Sequence, residues 1–591
     1  MLELADPRAA AGRSDERRIS AERVTVAGTY DGGELLIAAL DDLGVEYIFS
    51  SPGSEWAPAW EALARRQAKG TPTPAYLDLT HETVAVGMAT GFGLVTRRVQ
   101  AVLLHAAPGL LQGSTAIHGA LLAGVGMVVA SSESTTYGDG AGQDPGGQWY
   151  RNLSIVGGPH NVAQPWTKWS NMVGSVSTLY TMVTRAGELA ARQPTGPVYL
   201  NVPLEILLEP TTPPVRPKAV AARGRRISAH DDVDTVARLL AEARNPIIIT
   251  ETGGREPGGF EALTALAEDL GIGVIEPSSA VCANISKDSP AHLGADLEPH
   301  IDDADLILLV NCRAPFYPPS RRPARATIVV IDEVPQRPHI VYQVLNADHY
   351  LEGALPETLQ QLREASLALS DESAVAVRRD AVERSRARWR SETDAAEQRS
   401  RDGAGIDPIT LASVLRDIVR AERAVVVDET ITHSRVVQRH VGWDRPDSYF
   451  YVQGGLGQGI AVALGVKLAV RDGLVVLTIG DGAFLYNPVV QSLLAAKDFG
   501  LPLLIVIFNN KKYLSMKMNH LRFYPEGSAV QTGNHLGVDL SSQPELSAFA
   551  APFDMFHASV DDRGDLARVL GDAAAAVKAG TTAVVNVTVT R

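Results

Sequence analysis

From Asp31 onward the chain alternates between two hydrophobic rhythms. GELLIAALDDLG carries apolar residues at helical spacing and leads into VEYIFS, a short unbroken apolar run that ends in Ser and Pro. Short apolar runs bounded by Gly, Pro, Asp or Ser read as strands buried on both faces. On this reading QAVLLHAAPG, GVGMVVASS and GPVYLNVPLEI are further strands of a first unit. NPIIIT, GIGVIEP, ADLILLVN and ATIVVIDE belong to a second, and AVVVDE, GLVVLTIGD, LPLLIVIFNN and TAVVNVTV to a third. Parallel neighbours need a crossover, usually helical, so strands separated by helical stretches predict parallel sheets. The expected fold class is α/β, with three consecutive doubly wound parallel-sheet domains.

Punctuation along the chain sets the expected boundaries. The 591 residues are too many for a single core. Residues 1–29 read as a mobile extension, since they mix Arg with Asp and Glu around no apolar centre and so resemble neither a signal peptide nor an anchor. The first domain is expected over 30–210 and the proline-rich, basic PTTPPVRPKAVAARGRR forms a linker over 211–228. The second domain is expected over 229–367, a charged helical linker over 368–404 and the third domain over 405–591.

Composition narrows the classes. A net charge of −14 argues against a nucleic-acid partner, which needs a basic field for phosphate neutralisation. No charge-free apolar run reaches the ~20 residues that a membrane-spanning helix requires, so no membrane partner is expected. Two cysteines, Cys282 and Cys312, make no disulfide framework and fit a reducing compartment, with the cytoplasm as the expected location.

The third unit carries the chemistry. GLVVLTIGDG runs from a buried strand into a Gly-flanked turn, which brings Asp481 out at the strand's carboxyl end. LPLLIVIFNN ends the same way at Asn510, and ligands of open α/β sheets bind at such edges. An Asp, an Asn amide oxygen and nearby carbonyls are hard oxygen donors suited to Mg²⁺ on a phosphate. Gly480 and Gly482 would let the backbone approach that phosphate without a Cβ in the way. GGLGQG, Gly454 to Gly459, opens a helix whose N-terminus could face an anion, although its glycines do not follow the dinucleotide spacing.

GDG followed at this distance by NN resembles the signature of the thiamine diphosphate (ThDP) enzymes. The resemblance implies that Asp481, Asn510 and the carbonyl of Lys512 hold Mg²⁺ on the cofactor's diphosphate. It also implies a carboxylate in the first domain that hydrogen-bonds the aminopyrimidine ring and so helps its 4′-imino group to deprotonate C2. THETVAVGMATGFGL offers Glu82, followed by Ala85, Gly87, Ala89 and Gly91 in the family's pattern. The three domains become pyrimidine-binding, central and diphosphate-binding, in the order of the acetolactate synthase and benzoylformate decarboxylase group. Gly455 and Leu456 fall where that group supports the bent cofactor, and Thr430, Thr432 and His433 in DETITH match its first diphosphate loop.

The same resemblance implies C2-carbanion (enamine) chemistry on a 2-oxo acid, ending in protonation or in ligation to an aldehyde or ketone. SSPGSEWAP is similar to the opening loop of the benzoylformate decarboxylase type, with Ser54 near the substrate carboxylate, and His105 stands where that type carries a catalytic histidine. No adjacent His pair occurs in the first domain, which counts against a pyruvate decarboxylase of the usual kind. NCRAPFYPPSRRPAR replaces the flavin-contacting motif of acetolactate synthases, so bound FAD is not expected. Gln112 and Gln491 are further polar candidates. Arg313, Arg321, Arg322 and Arg325 could grip a coenzyme A phosphate, as in a 2-hydroxyacyl-CoA lyase, or form ordinary charged surface. The Gly-rich stretch from Gly138 to Asn152 is expected to be a mobile or solvated loop. A homodimer or homotetramer with sites at the chain interface is expected, and the rival of another class is a non-catalytic metabolite-binding relative.

Overall fold

The computed structural model describes residues 30–136, 144–147, 153–214, 224–313, 315, 316, 319–337, 343 and 346–590. The N-terminal extension up to residue 29, residues 215–223 of the proline-rich linker and most of the Gly138–Asn152 stretch lie outside them. Three all-parallel sheets follow one another, as the strand pattern requires. Strands β1 (Tyr47–Ser51), β2 (Ala75–Asp78), β3 (Gln100–Leu104), β4 (Met127–Ser131), β5 (Trp169–Met172) and β6 (Pro197–Asn201) form the first, in the order β2-β1-β3-β4-β6-β5. Strands β7 (Pro246–Thr250), β8 (Gly273–Ile275), β9 (Leu306–Val310), β10 (Thr327–Ile331) and β11 (His349–Leu351) form the second, in the order β11-β10-β9-β7-β8. Strands β12 (Val425–Glu429), β13 (Tyr449–Tyr451), β14 (Val475–Gly480), β15 (Leu504–Asn509), β16 (Phe556–Val560) and β17 (Ala583–Thr588) form the third, in the order β13-β12-β14-β15-β17-β16.

The central strands are buried along their whole length, as expected of sheets covered on both faces. In each sheet the chain leaves the first strand for one side and later returns to its other side. That reversal lies between β1 and β3, between β7 and β9, and between β12 and β14. Loops at a reversal diverge to opposite faces and leave a crevice at the strands' carboxyl ends.

The described residues form two compact units. One holds the residues before Gly224 together with Gln453–Arg471 and Pro488–Leu501, and the other holds Gly224–Val452, Asp472–Asn487 and Pro502–Arg591. Within the first unit the helix Glu82–Thr96 lies against the helix Gly459–Val470. Both are apolar and buried nearly all round. Small residues bring their backbones together: a Cβ on Gly91 would lie 2.0 Å from the Val462 carbonyl oxygen, and one on Gly465 would lie 2.0 Å from that of Met88.

In the second unit the charged segment expected as a helical linker contains a 31-residue helix, Glu372–Asp402, anchored by buried polar contacts. Arg378 donates to the carbonyls of Leu240 at 2.8 Å and Ala243 at 3.0 Å. Arg386 donates to His292 Nδ1 at 2.9 Å, beside a buried pair of Lys287 Nζ and Glu276 Oε2 at 2.5 Å. Burial pushes the Glu276 carboxyl up, but Lys287 and His292 outweigh it and hold it at about 2. Among the described residues no helix is long and apolar enough to cross a membrane.

Candidate active site

At the reversal of the third sheet, three loops leave the carboxyl ends of the adjacent strands β12, β14 and β15. Asp481 opens a short helix, Asp481–Tyr486, with Gly480 as its cap, so GDG starts a helix directly and makes no free turn. The backbone N–H groups of Gly482, Lys511 and Lys512 point at its carboxylate, yet burial outweighs them and pushes the group up to about 6. Asp481 is 3% exposed, and its Oδ2 is buried without a hydrogen-bond partner. A buried carboxylate oxygen with nothing to accept from is costly unless a cation or donor joins it. Among the described residues no group of three His, Cys, Asp or Glu stands together as metal ligands, so a cation here would rely on Asp481 with amide and carbonyl oxygens and its ligand's phosphates.

The two asparagines divide their work. Asn509 is buried and structural, since its Nδ2 donates to Asn586 Oδ1 at 3.0 Å and its Oδ1 accepts from Gln543 at 2.7 Å and from Lys511 N at 3.0 Å. Asn510 is half-buried, with Oδ1 accepting from Lys512 N at 3.0 Å and Nδ2 lying 3.4 Å from His433 Nε2. The Lys512 carbonyl accepts from Leu514 N at 3.0 Å and keeps a second lone pair. Lys511, between them, has φ +56°.

On the β12 loop Ile431 adopts φ +53°, a left-handed conformation that is strained for a β-branched residue. Thr430 directs its hydroxyl to Asp428 Oδ1 at 2.7 Å, into the sheet's own buried network. Thr432 is half-buried, and the buried His433 ring lies 5.9 Å from Phe508. Gly480 has open space over its Cα, with the nearest atom, the Thr430 carbonyl oxygen, 3.6 Å from a built Cβ. Gly482 does not: a Cβ there would lie 2.4 Å from the Tyr513 ring, so this glycine makes room for an aromatic side chain and not for a phosphate.

In the other unit the reversal of the first sheet gathers a second set. Glu82 occupies the first turn of its helix, behind His81, whose Nδ1 caps the helix by accepting from Thr83 N at 3.1 Å. Gly109 of the helix Ala107–Leu122 gives room beside it, since a Cβ there would lie 3.3 Å from Glu82 Oε1 and 2.8 Å from His105 Cβ. Burial depresses the His81 imidazole, against the pull of Glu82. Gln112 is exposed, with Nε2 3.4 Å from His81 Nε2. Ser54, also exposed, begins the 3₁₀ turn Ser54–Trp56.

His105 follows β3, and its Nδ1 lies 2.7 Å from Oε1 of Glu55, a carboxylate that is fully buried. The same oxygen accepts from Ala106 N at 2.7 Å. The hydrogen bond to Glu55 raises the His105 imidazole, burial opposes it, and the charges of Glu55 and Glu82 add to the rise. Sequence reasoning passed over Glu55, although an acidic residue inside SSPGSEW, beside a loop already assigned to substrate, was the available signal.

Gly455, at φ +102°, has no atom within 4 Å of a built Cβ, and Leu456 beside it is half-buried. Gly454 lies so close to the Ala107–Leu122 helix that a Cβ would stand 2.4 Å from Gly119 Cα. Gln491 is half-buried on the helix Val489–Asp498. The central arginines do not gather. Arg313 pairs with buried Glu251 at 3.5 Å, Arg321 pairs with Glu298 at 2.7 Å, Arg322 donates to the Asn346 carbonyl at 2.5 Å, and Arg325 is exposed.

Three family models match: the N-terminal TPP binding domain of thiamine pyrophosphate enzymes over residues 30–154, their central domain over 233–362 and their C-terminal TPP binding domain over 430–587. The acetolactate synthase isozyme 3 large subunit of Escherichia coli is 25% identical over 586 residues, spanning 94% of each chain. The benzoylformate decarboxylase of Pseudomonas aeruginosa is 27% identical over 505 residues, 80% of this chain and 85% of its own. The crystal structure of benzoylformate decarboxylase from Polynucleobacter necessarius superposes with a TM-score of 0.76 at 21% identity, covering 95% of this chain and 98% of that one, and so shares the fold. Consecutive matches in domain order, over a chain with three parallel sheets, lead to one conclusion: this protein belongs to the thiamine pyrophosphate enzyme family, in the group of the acetolactate synthases and benzoylformate decarboxylases.

Proposed function

We propose that this protein is a ThDP- and Mg²⁺-dependent enzyme that decarboxylates a 2-oxo acid and then protonates the remaining carbon or joins it to an aldehyde or ketone. The observation that carries the reading is Asp481. Its buried, unpartnered Oδ2, on a carboxylate that also meets the N–H groups of Lys511 and Lys512, suits a divalent cation. Asn510 and the Lys512 carbonyl would complete the protein's share of ligands, and Gly480, Thr432 and His433 would flank the diphosphate. When bound, ThDP supplies a nucleophilic carbon and an electron sink for decarboxylation. Residues 30–210, 229–367 and 405–591 then act as pyrimidine-binding, central and diphosphate-binding domains.

The side chains have separate tasks. Glu82 would hydrogen-bond the aminopyrimidine ring, and Leu456 would support the cofactor's bend. Ser54, exposed at a strand end, would orient the substrate carboxylate. His105 would move a proton to or from the reacting carbon or oxygen, a task suited to an imidazole near neutral pH. Exposed apolar side chains on the segments after Asp481 and Asn510, among them Tyr486, Met518, Phe523 and Leu536, support a second copy of the chain as their cover. We expect at least a dimer, with Glu82 of one protomer serving the Asp481 end of its partner.

A coenzyme A thioester is a poorer substrate class, because Arg313, Arg321 and Arg322 each already hold a group of their own chain. The test is CO₂ release by the ThDP- and Mg²⁺-loaded protein across a panel of aliphatic and aromatic 2-oxo acids, with products identified by NMR. Turnover of one class supports the proposal and names the donor. A protein that binds ThDP yet releases no CO₂ from any of them overturns it.

A further inference from the structure

Glu55 and His105 leave neighbouring strands at the first sheet's reversal, in the register that pairs Ser51 with Leu104. Several contacts fix how they meet. His105 N donates to the Ser51 carbonyl at 3.0 Å, and Trp56 Nε1 donates to the Leu104 carbonyl at 2.7 Å, which ties the Glu55 turn to the end of β3. Gly53 is required at the junction, since a Cβ there would lie 1.9 Å from His105 Nδ1 and 2.2 Å from Glu55 Oε2. The pair is therefore built into the loop.

An ionised carboxylate only accepts hydrogen bonds, so at 2.7 Å from Glu55 Oε1 the Nδ1 of His105 must carry the proton. Nε2 is then the ring nitrogen that can gain or lose one. We propose that Glu55 is the positioning residue of His105, fixing its proton on Nδ1 so that Nε2 exchanges protons with the bound substrate. The substrate's identity rests on the proposed function, whereas the placement of the proton does not. The charged groups facing the ring are Glu55 from the 3₁₀ turn and Glu82 from its own helix, while the Ala107–Leu122 helix presents Gly109. Both carboxylates favour the imidazolium, so at neutral pH His105 carries its second proton more often than an ordinary histidine does.

The test compares wild type with Glu55→Gln and Glu55→Asp. Gln removes the charge at almost constant shape: its oxygen in the place of Oε1 still accepts from Ala106 N and from His105 Nδ1, but no carboxylate favours the imidazolium. The pH dependence of hydrogen–deuterium exchange at imidazole Cε1, read by mass spectrometry on the His105 peptide of the cofactor-free chain, reports this ring alone. We expect a midpoint above that of ordinary histidine in wild type, a fall to or below the ordinary value in Glu55→Gln, and partial retention in Glu55→Asp. In the loaded enzyme, kcat/KM of Glu55→Gln should fall about 100-fold or more, with its pH limb moving along with the midpoint. An unchanged midpoint in Glu55→Gln would overturn the inference. Absence of turnover in wild type would overturn the proposed function, while the exchange midpoint would still decide the role of Glu55.

Discussion

Asp481 is held in the folded chain at a cost that a cation should relieve, and Asp481→Asn measures that cost. Burial moves its carboxyl from 3.8 to about 6. The folded state then binds the proton more tightly than the unfolded state. Its contribution to stability is full below the unfolded value and lost as pH rises through the folded one. The total loss is about 3 kcal/mol, at 1.36 kcal/mol per pH unit of displacement, and about 1.4 kcal/mol of it falls between about pH 5 and pH 8. The variant cannot ionise there, so its stability relative to wild type should rise by that amount across the interval. Any constant offset from the new amide cancels in the comparison. For an unfolding unit of 150–250 residues this is a melting-temperature difference that widens by about 3–6 °C.

The assay is thermal unfolding of both metal-free proteins at the two pH values, repeated with Mg²⁺ and ThDP. Saturating ligand at about 100 times its Kd should add about 2.7 kcal/mol to wild type and much less to Asp481→Asn. A difference that stays flat between the two pH values, or equal stabilisation of both proteins by Mg²⁺ and ThDP, would refute the reasoning.

Further expectations concern both units. Glu82→Gln should lower turnover about 100-fold or more while ThDP still binds, which kinetics and calorimetric titration separate. Gly91→Ala places a methyl 2.0 Å from the Val462 carbonyl oxygen and should destabilise the first unit by about 1–3 kcal/mol or more, seen as a lower melting temperature. Lys287→Met removes the cation beside the buried Glu276 carboxylate, leaving it only His292 and Asn284, and should cost about 3–5 kcal/mol, while the paired change Lys287→Met with Glu276→Leu should recover most of it. Dilution that dissociates the assembly should abolish activity, checked by light scattering beside the rate, and an active monomer would exclude a shared site.

Much of the fold is legible in local pattern because parallel strands buried on both faces must be short unbroken apolar runs. LIVIFN and LILLV announce β15 and β9 without any knowledge of their neighbours. Asp481 and Asn510 were legible for a related reason, since a polar residue at the end of such a run emerges at the sheet's ligand-binding edge. The charged segment after Leu367 was legible as helical, but its sequence did not show which of its charges are buried. In the fold Arg378, Arg386 and Glu397 are buried, each with a partner far away in the chain. Neither did the rhythm of GIAVALGVKLAV show that this helix packs against the Glu82 helix, since that choice depends on where the glycines of two distant helices face each other.

By itself, then, the sequence determined the class of fold, the order of its strands along the chain and the family signature, because strand period, turn residues and motif spacing act over a few residues. The tertiary structure alone decided that Asn509 ties strands while Asn510 remains available, that Gly482 admits Tyr513, and that Glu55 holds His105. These roles depend on distances between groups brought together by strand order and loop course, and a hydrogen bond made across fifty residues leaves no periodicity in the chain that makes it.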